Sequence, residues 1–403
     1  MSATCLGLDR NQTNDARDYY RQVLLPFTQV FNVVHGYAYI TLCILGVFAN
    51  ISIVVVLLRP AMRKSPFNLF LIMIAVCDAT LMATYLIYKH IEFCHPLFFT
   101  HTFIVYTKFY AGLSVFVHST SLWLTVNMAI LRYLVLYRGS RSSSRLPPCN
   151  GFPAAIVAIV IATIIAFVGS FPNMLRYEIT MKDKRKLPSD CLIGPYAHDW
   201  TANDEIYEYG LDKPDWYGCR WERFNFWMAA WVLKLIPCIL LTVFMTLLVR
   251  MLIEARERRS RLCGGMSTGN SQAERTTAML TIIVAVFLIT ELPQGIIGFA
   301  AGVNPRLIVL TYHLNNFFDL LSLINSAVNF VLCALMSHVF RREFLLTFAS
   351  CCPQSSESHS GAPTITTHSS VRQMWNSLIS RIGNKNGFVQ VPTASPEDKA
   401  QSL

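Results

Sequence analysis

The stretch LITELPQGIIG, residues 288–298, sets a carboxylate, Glu291, two residues ahead of Pro293 inside an apolar run that begins near Ala278. A charge placed in hydrocarbon costs about 2.5–3.5 kcal/mol on insertion scales, so it faces a polar interior if the run is buried in a membrane. The meaning of Glu291 therefore depends on how many such runs accompany it. Six do, at roughly 36–58, 67–89, 103–136, 152–175, 224–249 and 307–336, beside Glu291's own at 276–301. Each has the length, about 20 residues or more, that a helix needs to cross a bilayer. The gross composition agrees. The 403 residues are 53% hydrophobic and 14% charged, with a mean hydropathy of +0.40, whereas soluble chains carry about 25% charge. The expected fold is all-α: a seven-transmembrane helix bundle over 36–350, an N-terminal segment 1–35 before it and a disordered tail 351–403 after it.

The net charge of +10 invites a nucleic-acid reading, but its distribution points elsewhere. Arg59, Arg63 and Lys64 follow the first span, Arg132, Arg138, Arg141 and Arg145 close the third, and six arginines from Arg250 to Arg275 join the fifth to the sixth. These segments alternate along the chain and share one side, which the positive-inside rule makes cytoplasmic. The N-terminus is then expected outside, with the first span as its own signal anchor. Residues 190–222 on the opposite side hold eight acids against two bases. Asn11-Gln12-Thr13, also on that side, is a glycosylation sequon. Of twelve cysteines, Cys94, Cys191 and Cys219 fall on the outer side, where disulfides persist. On the inner side SHVFRREFLLTFASCC reads as a short amphipathic eighth helix, with Phe340, Phe344, Leu345 and Phe348 toward lipid and Cys351 and Cys352 placed for palmitoylation.

Seven spans with an outer N-terminus and an inner tail resemble the rhodopsin-like (class A) G-protein-coupled receptors. The motifs that carry the resemblance are Asn50 in span one, Asp78 in IAVCD, Arg132-Tyr133 in MAILRYLVLYR, Pro237, Pro293, and Asn329 in NSAVNFVLC. The chain departs from that pattern at four places. Leu131 replaces the acid before the arginine, Phe330 and Cys333 replace the proline and tyrosine of the span-seven motif, Thr107 replaces a disulfide cysteine, and Glu291 stands where a tryptophan is usual. With these departures, VHGYAYITLCILGVFANI (34–51), VFVHSTSLWLTV (115–126), TELPQG and LINSAVNFVL (323–332) resemble the invertebrate myosuppressin/FMRFamide-like neuropeptide receptors. Nematode chemoreceptor-like families share parts of these patterns.

The resemblance implies a plasma-membrane receptor for a short amidated peptide, often ending in Arg-Phe-amide, that signals through a heterotrimeric G protein. The alternatives are a serpentine chemoreceptor for a non-peptide ligand, or a small transporter. No catalytic or metal-binding motif is present, and neither a nucleic-acid partner nor a cofactor other than a sodium ion near Asp78 is expected. Asp78 would form that polar network with Asn50, Ser121, Asn325 and Asn329. His118, Lys234, Glu291 and Asp319 would lie near the floor of the ligand pocket, with Gln294, Asn315, Trp231 and Tyr312 on its wall. Lys234 and Glu291 would face each other as a buried pair, the alternative being a protonated Glu291 bonded to polar neighbours. Asp319, in line with Asn315 and Ser322, would take a ligand guanidinium or else serve as partner to His118 or Lys234. With Thr107 in place of the usual cysteine, Cys94 would pair with Cys191, Cys219 being the rival. Arg132 and Tyr133 would meet the G protein, with Glu274 a possible holder of Arg132. Serines and threonines of the tail would serve kinases and arrestin.

Overall fold

The computed structural model describes residues 10–91, 93–140, 151–193, 195–262, 270–304, 306–336 and 338–348. Among them, seven helices are long and apolar enough to cross a membrane. Spans one to four are Arg10–Leu57, Pro66–His90, His101–Ser140 and Phe152–Met174. Span five has three parts: an α-helix Cys219–Trp227, a π-helical stretch Met228–Leu235 and an α-helix Ile236–Leu262. Span six is Asn270–Val303, and span seven is a short helix Leu307–His313 followed by Asn315–Met336. A closing helix, His338–Phe348, ends the described chain.

Span three supplies much of the core, through Leu122, Leu124 and Val126, which pack with Phe70 and Ile74 of span two, Leu241 and Leu248 of span five and Phe287 of span six. Span four shows the complementary pattern. Ile156, Val160, Ile164 and Phe167, three or four residues apart, form an exposed apolar stripe, which is stable only against lipid or another apolar surface.

Three features differ from the sequence reading. Helix one starts at Arg10, so residues assigned to a separate N-terminal segment continue the first span. Its 48 residues extend about 70 Å at 1.5 Å per residue, more than twice a hydrocarbon core of about 30 Å. Residues 10–35 contain no glycine and one proline, Pro26, so little interrupts the helix. Phe27 and Phe31 hold it against Phe317.

The acidic connection between spans four and five forms an antiparallel hairpin, β1 (Glu178–Lys186) with β2 (Glu205–Asp212), whose register shifts between Met181 and Lys184. Charges pair diagonally across the strands: Lys184, opposite Tyr207, bonds Glu205, and Arg185, opposite Ile206, lies 3.1 Å from Glu208. The bond from Lys184 holds the Glu205 carboxyl below its ordinary range, and the same bond raises the Lys184 ammonium. Cys94 and Cys191 form a disulfide, with Cα atoms 5.1 Å apart, and Trp200 Nε1 donates to the Cys94 carbonyl at 2.7 Å. Cys219 is disulfide-bonded as well and is not the partner of either. The Cys94–Cys191 bridge closes a sequence separation of 97 residues. Cys94→Ser is expected to cost about 2–5 kcal/mol, seen as a lower unfolding temperature of the solubilised protein. Adding Cys191→Ser should cause no further loss.

The closing helix is turned differently from the expectation. Phe340 is buried rather than lipid-facing, and Phe340 and Phe344 both pack on Phe330, the residue in place of the usual proline. Phe330 offers a large apolar ring near the helix, and Glu343 fixes the rotation through Arg59 at 3.1 Å. Arg59 also donates to Thr347 Oγ1 at 2.6 Å. Cys351, Cys352 and the tail 351–403 lie outside the described residues.

Candidate ligand-binding site

The site is built around the π-helical stretch. A π turn carries an extra residue and leaves the regular hydrogen-bond ladder, which re-aims the side chains that follow. Here Trp123 of span three caps the irregularity by donating its indole N–H to the Val232 carbonyl at 3.1 Å, and Lys234 is turned inward. Span six comes close on the other side. A Cβ added at Gly295 would lie 3.1 Å from Leu235 Cδ2 and 3.4 Å from Lys234 Cβ, so glycine permits the approach that brings Glu291 within reach.

Lys234 Nζ donates to Glu291 Oε2 at 2.6 Å, and His118 Nε2 lies 3.1 Å from the same oxygen. Lys234 Nζ and His118 Nε2 are 2.9 Å apart. One carboxylate oxygen receives both donors when the imidazole is neutral with its proton on Nε2. The opposite tautomer would set a nitrogen lone pair against the carboxylate. The Nε2–H tautomer also leaves the buried, unpartnered Nδ1 of His118 as a bare lone pair rather than an orphaned N–H. Glu291 is fully buried, while the Lys234 side chain keeps 14% of its surface, because it lines a cavity above the pair.

That cavity, about 440 Å³, is lined by His118, Lys234, Gln294, Tyr312, Asn315 and Asp319 of the sequence-derived set, with Ser322 beside them. Two members of the set are placed elsewhere. Glu291 sits beneath the floor. Trp231 packs on Phe299, ring centroids 5.5 Å apart, and is not among the lining residues. In a regular α-helix Trp231 would share the face of Lys234 three residues on; the wider π turn rotates it away. Asp319 accepts from Tyr85 Oη at 3.2 Å and Asn315 Nδ2 at 3.3 Å, and Tyr85 Oη is 3.1 Å from His35 Nε2. Among the described residues no cation lies within ion-pair distance of Asp319, and neither His118 nor Lys234 bonds it.

The sequence reading missed Tyr85, Tyr110 and Arg176 on the cavity wall. Arg176 also borders a side chamber of about 250 Å³. Its Nη2 is 3.8 Å from the buried Glu222, which Lys213 holds at 3.0 Å. An arginine one residue past a span end carries no signal that separates it from a topology charge.

Deeper in the bundle, Asp78 accepts from Ser121 at 3.0 Å, Ser326 at 3.1 Å and Asn329 at 2.8 Å. Ser326 takes the place expected for Asn325, one residue away and therefore about 100° around the helix. Asn50 is not bonded to Asp78; it donates to the Gly46 and Ser326 carbonyls at 2.9 and 3.1 Å. At the far end Arg132 lies over the Phe67 ring at 5.3 Å and lines an inner cavity with Cys333 and Phe340. Tyr133 packs on Phe244, centroids 5.7 Å apart. The Glu274 side chain lies outside the described set. Asn11 is exposed in the first turn of helix one. No group of three potential metal ligands exists among the described residues.

Seven apolar helices around a polar floor, with a cavity at one end and an arginine-lined recess at the other, define a serpentine receptor. The chain belongs to the serpentine seven-transmembrane G-protein-coupled receptors, matching the family model of the Srw chemoreceptors over residues 37–351. It is similar to G-protein coupled receptor dmsr-1 of Caenorhabditis elegans, 31% identical over 82% of this chain and 71% of that one. Sex peptide receptor-related protein 2 of the same organism is 27% identical over 91% of this chain and 84% of its own. The FMRFamide receptor of Drosophila melanogaster is 22% identical over 85% and 59%. The protein is thus a multi-pass plasma-membrane receptor, not an enzyme.

Proposed function

We propose that the protein is a receptor for a short extracellular peptide that carries a cationic residue and an amidated end. The observation that carries the proposal is Asp319: a carboxylate facing a cavity, with no described cation within ion-pair distance. A guanidinium supplies the missing charge and can bond both carboxylate oxygens. The names of the relatives, a sex peptide receptor of Drosophila melanogaster and an FMRFamide receptor among them, support a peptide over a small volatile ligand. The N-terminus and the acidic hairpin region then lie outside, where negative charge raises the local concentration of a basic peptide, and Asn11 carries a glycan. Binding shifts the bundle between two states, and Arg132 and Tyr133 present the inner face to the G protein. Cys351 and Cys352 take acyl chains that hold the closing helix at the lipid surface, and tail serines and threonines take kinases and arrestin.

A panel of C-terminally amidated peptides, applied to cells expressing the receptor with a G-protein dissociation readout, tests this reading. Nanomolar to micromolar responses to arginine-containing members are expected; silence to the whole panel with response to a non-peptide ligand would overturn it. The Asp78 cluster is proposed to hold a sodium ion. Replacing sodium by choline should then change agonist affinity in the wild type and leave Asp78→Asn unaffected.

A further inference from the structure

We propose that the Lys234–Glu291 pair and Gln294 make the receptor select ligands whose buried end is uncharged, and so read a C-terminal amide against a carboxylate. The proposal rests on the peptide reading above and assigns the residues that set its specificity.

The floor of the cavity holds a cation whose charge is already spent. Lys234 lines the cavity, but its ammonium is bound from below by Glu291 at 2.6 Å, and His118 donates to the same oxygen. The three residues together carry no net charge when His118 is neutral. An ammonium has three protons, so Lys234 still donates upward to a carbonyl oxygen. It does so as a polar group, without a free charge for an anion. A carboxylate lowered onto this floor would be desolvated with no unpaired cation to meet it, a large cost.

Gln294 lies one turn above Glu291 on the same helix face. It lines the cavity and makes no hydrogen bond to any described residue. A primary amide opposite it can donate to Gln294 Oε1 and accept from Nε2 at once. A carboxylate can only accept, and would set its oxygen against Oε1. Charge and hydrogen-bond pattern therefore discriminate in the same direction at the floor, while Asp319 higher on the wall demands a cation. The site fits a chain with positive charge near, but not at, its inner end.

The two substitutions that test this differ in their structural risk. Glu291→Gln frees the Lys234 ammonium, which keeps access to the cavity and its water, so the variant is expected to reach the surface. Gln294→Lys leaves the ion pair intact and adds an unspent cation beside it. One arginine-containing peptide is prepared as amide and as free acid, and potency for G-protein dissociation is measured for each. Wild type should favour the amide strongly. In Glu291→Gln the amide-to-acid potency ratio should fall about tenfold or more, because the acid gains a charged hydrogen bond, and Gln294→Lys should lower it in the same direction. If Glu291→Gln fails to reach the surface, Gln294→Lys decides alone. A ratio unchanged in whichever variants are expressed overturns this assignment and leaves the peptide reading standing. Silence of the wild type to both forms of every peptide overturns the peptide reading and this assignment with it.

Discussion

Lys234→Met is expected to remove most receptor from the cell surface, and adding Glu291→Gln to the same chain is expected to restore it. The single substitution leaves a fully buried carboxylate that keeps its His118 contact and loses its ammonium. Removing one partner of a buried pair costs about 3–5 kcal/mol, against a total stability of about 5–15 kcal/mol for a typical fold. The fraction correctly folded should therefore drop sharply. The double substitution replaces the pair by two uncharged side chains and avoids the cost, even though it removes the attraction as well. Surface labelling of intact cells and thermal unfolding of the solubilised protein both report the outcome. Equal loss in the single and the double would show that Lys234 acts through its shape rather than its charge.

Asp319→Asn should leave folding intact and reduce peptide potency by about 10–100-fold. Asparagine keeps the shape and an oxygen for Tyr85 and Asn315, so the local bonds survive. The charge does not, and a charge-assisted hydrogen bond contributes about 1.5–3 kcal/mol, with tenfold in affinity for each 1.4 kcal/mol or so. The decisive comparison uses the same peptide with citrulline in place of arginine. That ligand should be weak on the wild type, and should lose nothing further on Asp319→Asn, because the two changes delete one interaction. Unaltered potency of the arginine peptide on Asp319→Asn would remove Asp319 from the contact.

The parts of this receptor that could be read from sequence are those where a physical penalty forces a unique answer. Seven apolar runs of bilayer length have one economical arrangement, a bundle of seven spanning helices. Lys234 and Glu291 announced each other because each charge alone is costly in hydrocarbon. Asp78 drew its partners for the same reason, though the choice of Ser326 over Asn325 depended on helix phase that a motif position does not fix. What escaped notice carries no such penalty in one dimension. The π-helical stretch has an ordinary apolar composition, and its extra residue per turn misdirected Trp231. Strand β1, EITMKDKRK, reads as solvated charge, since its stability comes from bases that meet Glu205 and Glu208 more than twenty residues later. Arg176 follows a span end, as topology charges do, and only the fold sets it between two cavities and Glu222.

The π-helical stretch also bears on how the family can change in length. Elsewhere in a spanning helix, loss of a single residue breaks the match between the turns on either side and should be purged. Between Met228 and Leu235 the same loss could be absorbed, because the segment would relax into ordinary α-helix. The helices on either side would then keep their phase, and only residues of the stretch itself, Lys234 among them, would be re-aimed and carried off Glu291. A lineage that lost one codon here would keep its seven helices and surrender its charged floor at a stroke. Relatives that lack the lysine–glutamate pair should therefore be searched for a fifth span one residue shorter.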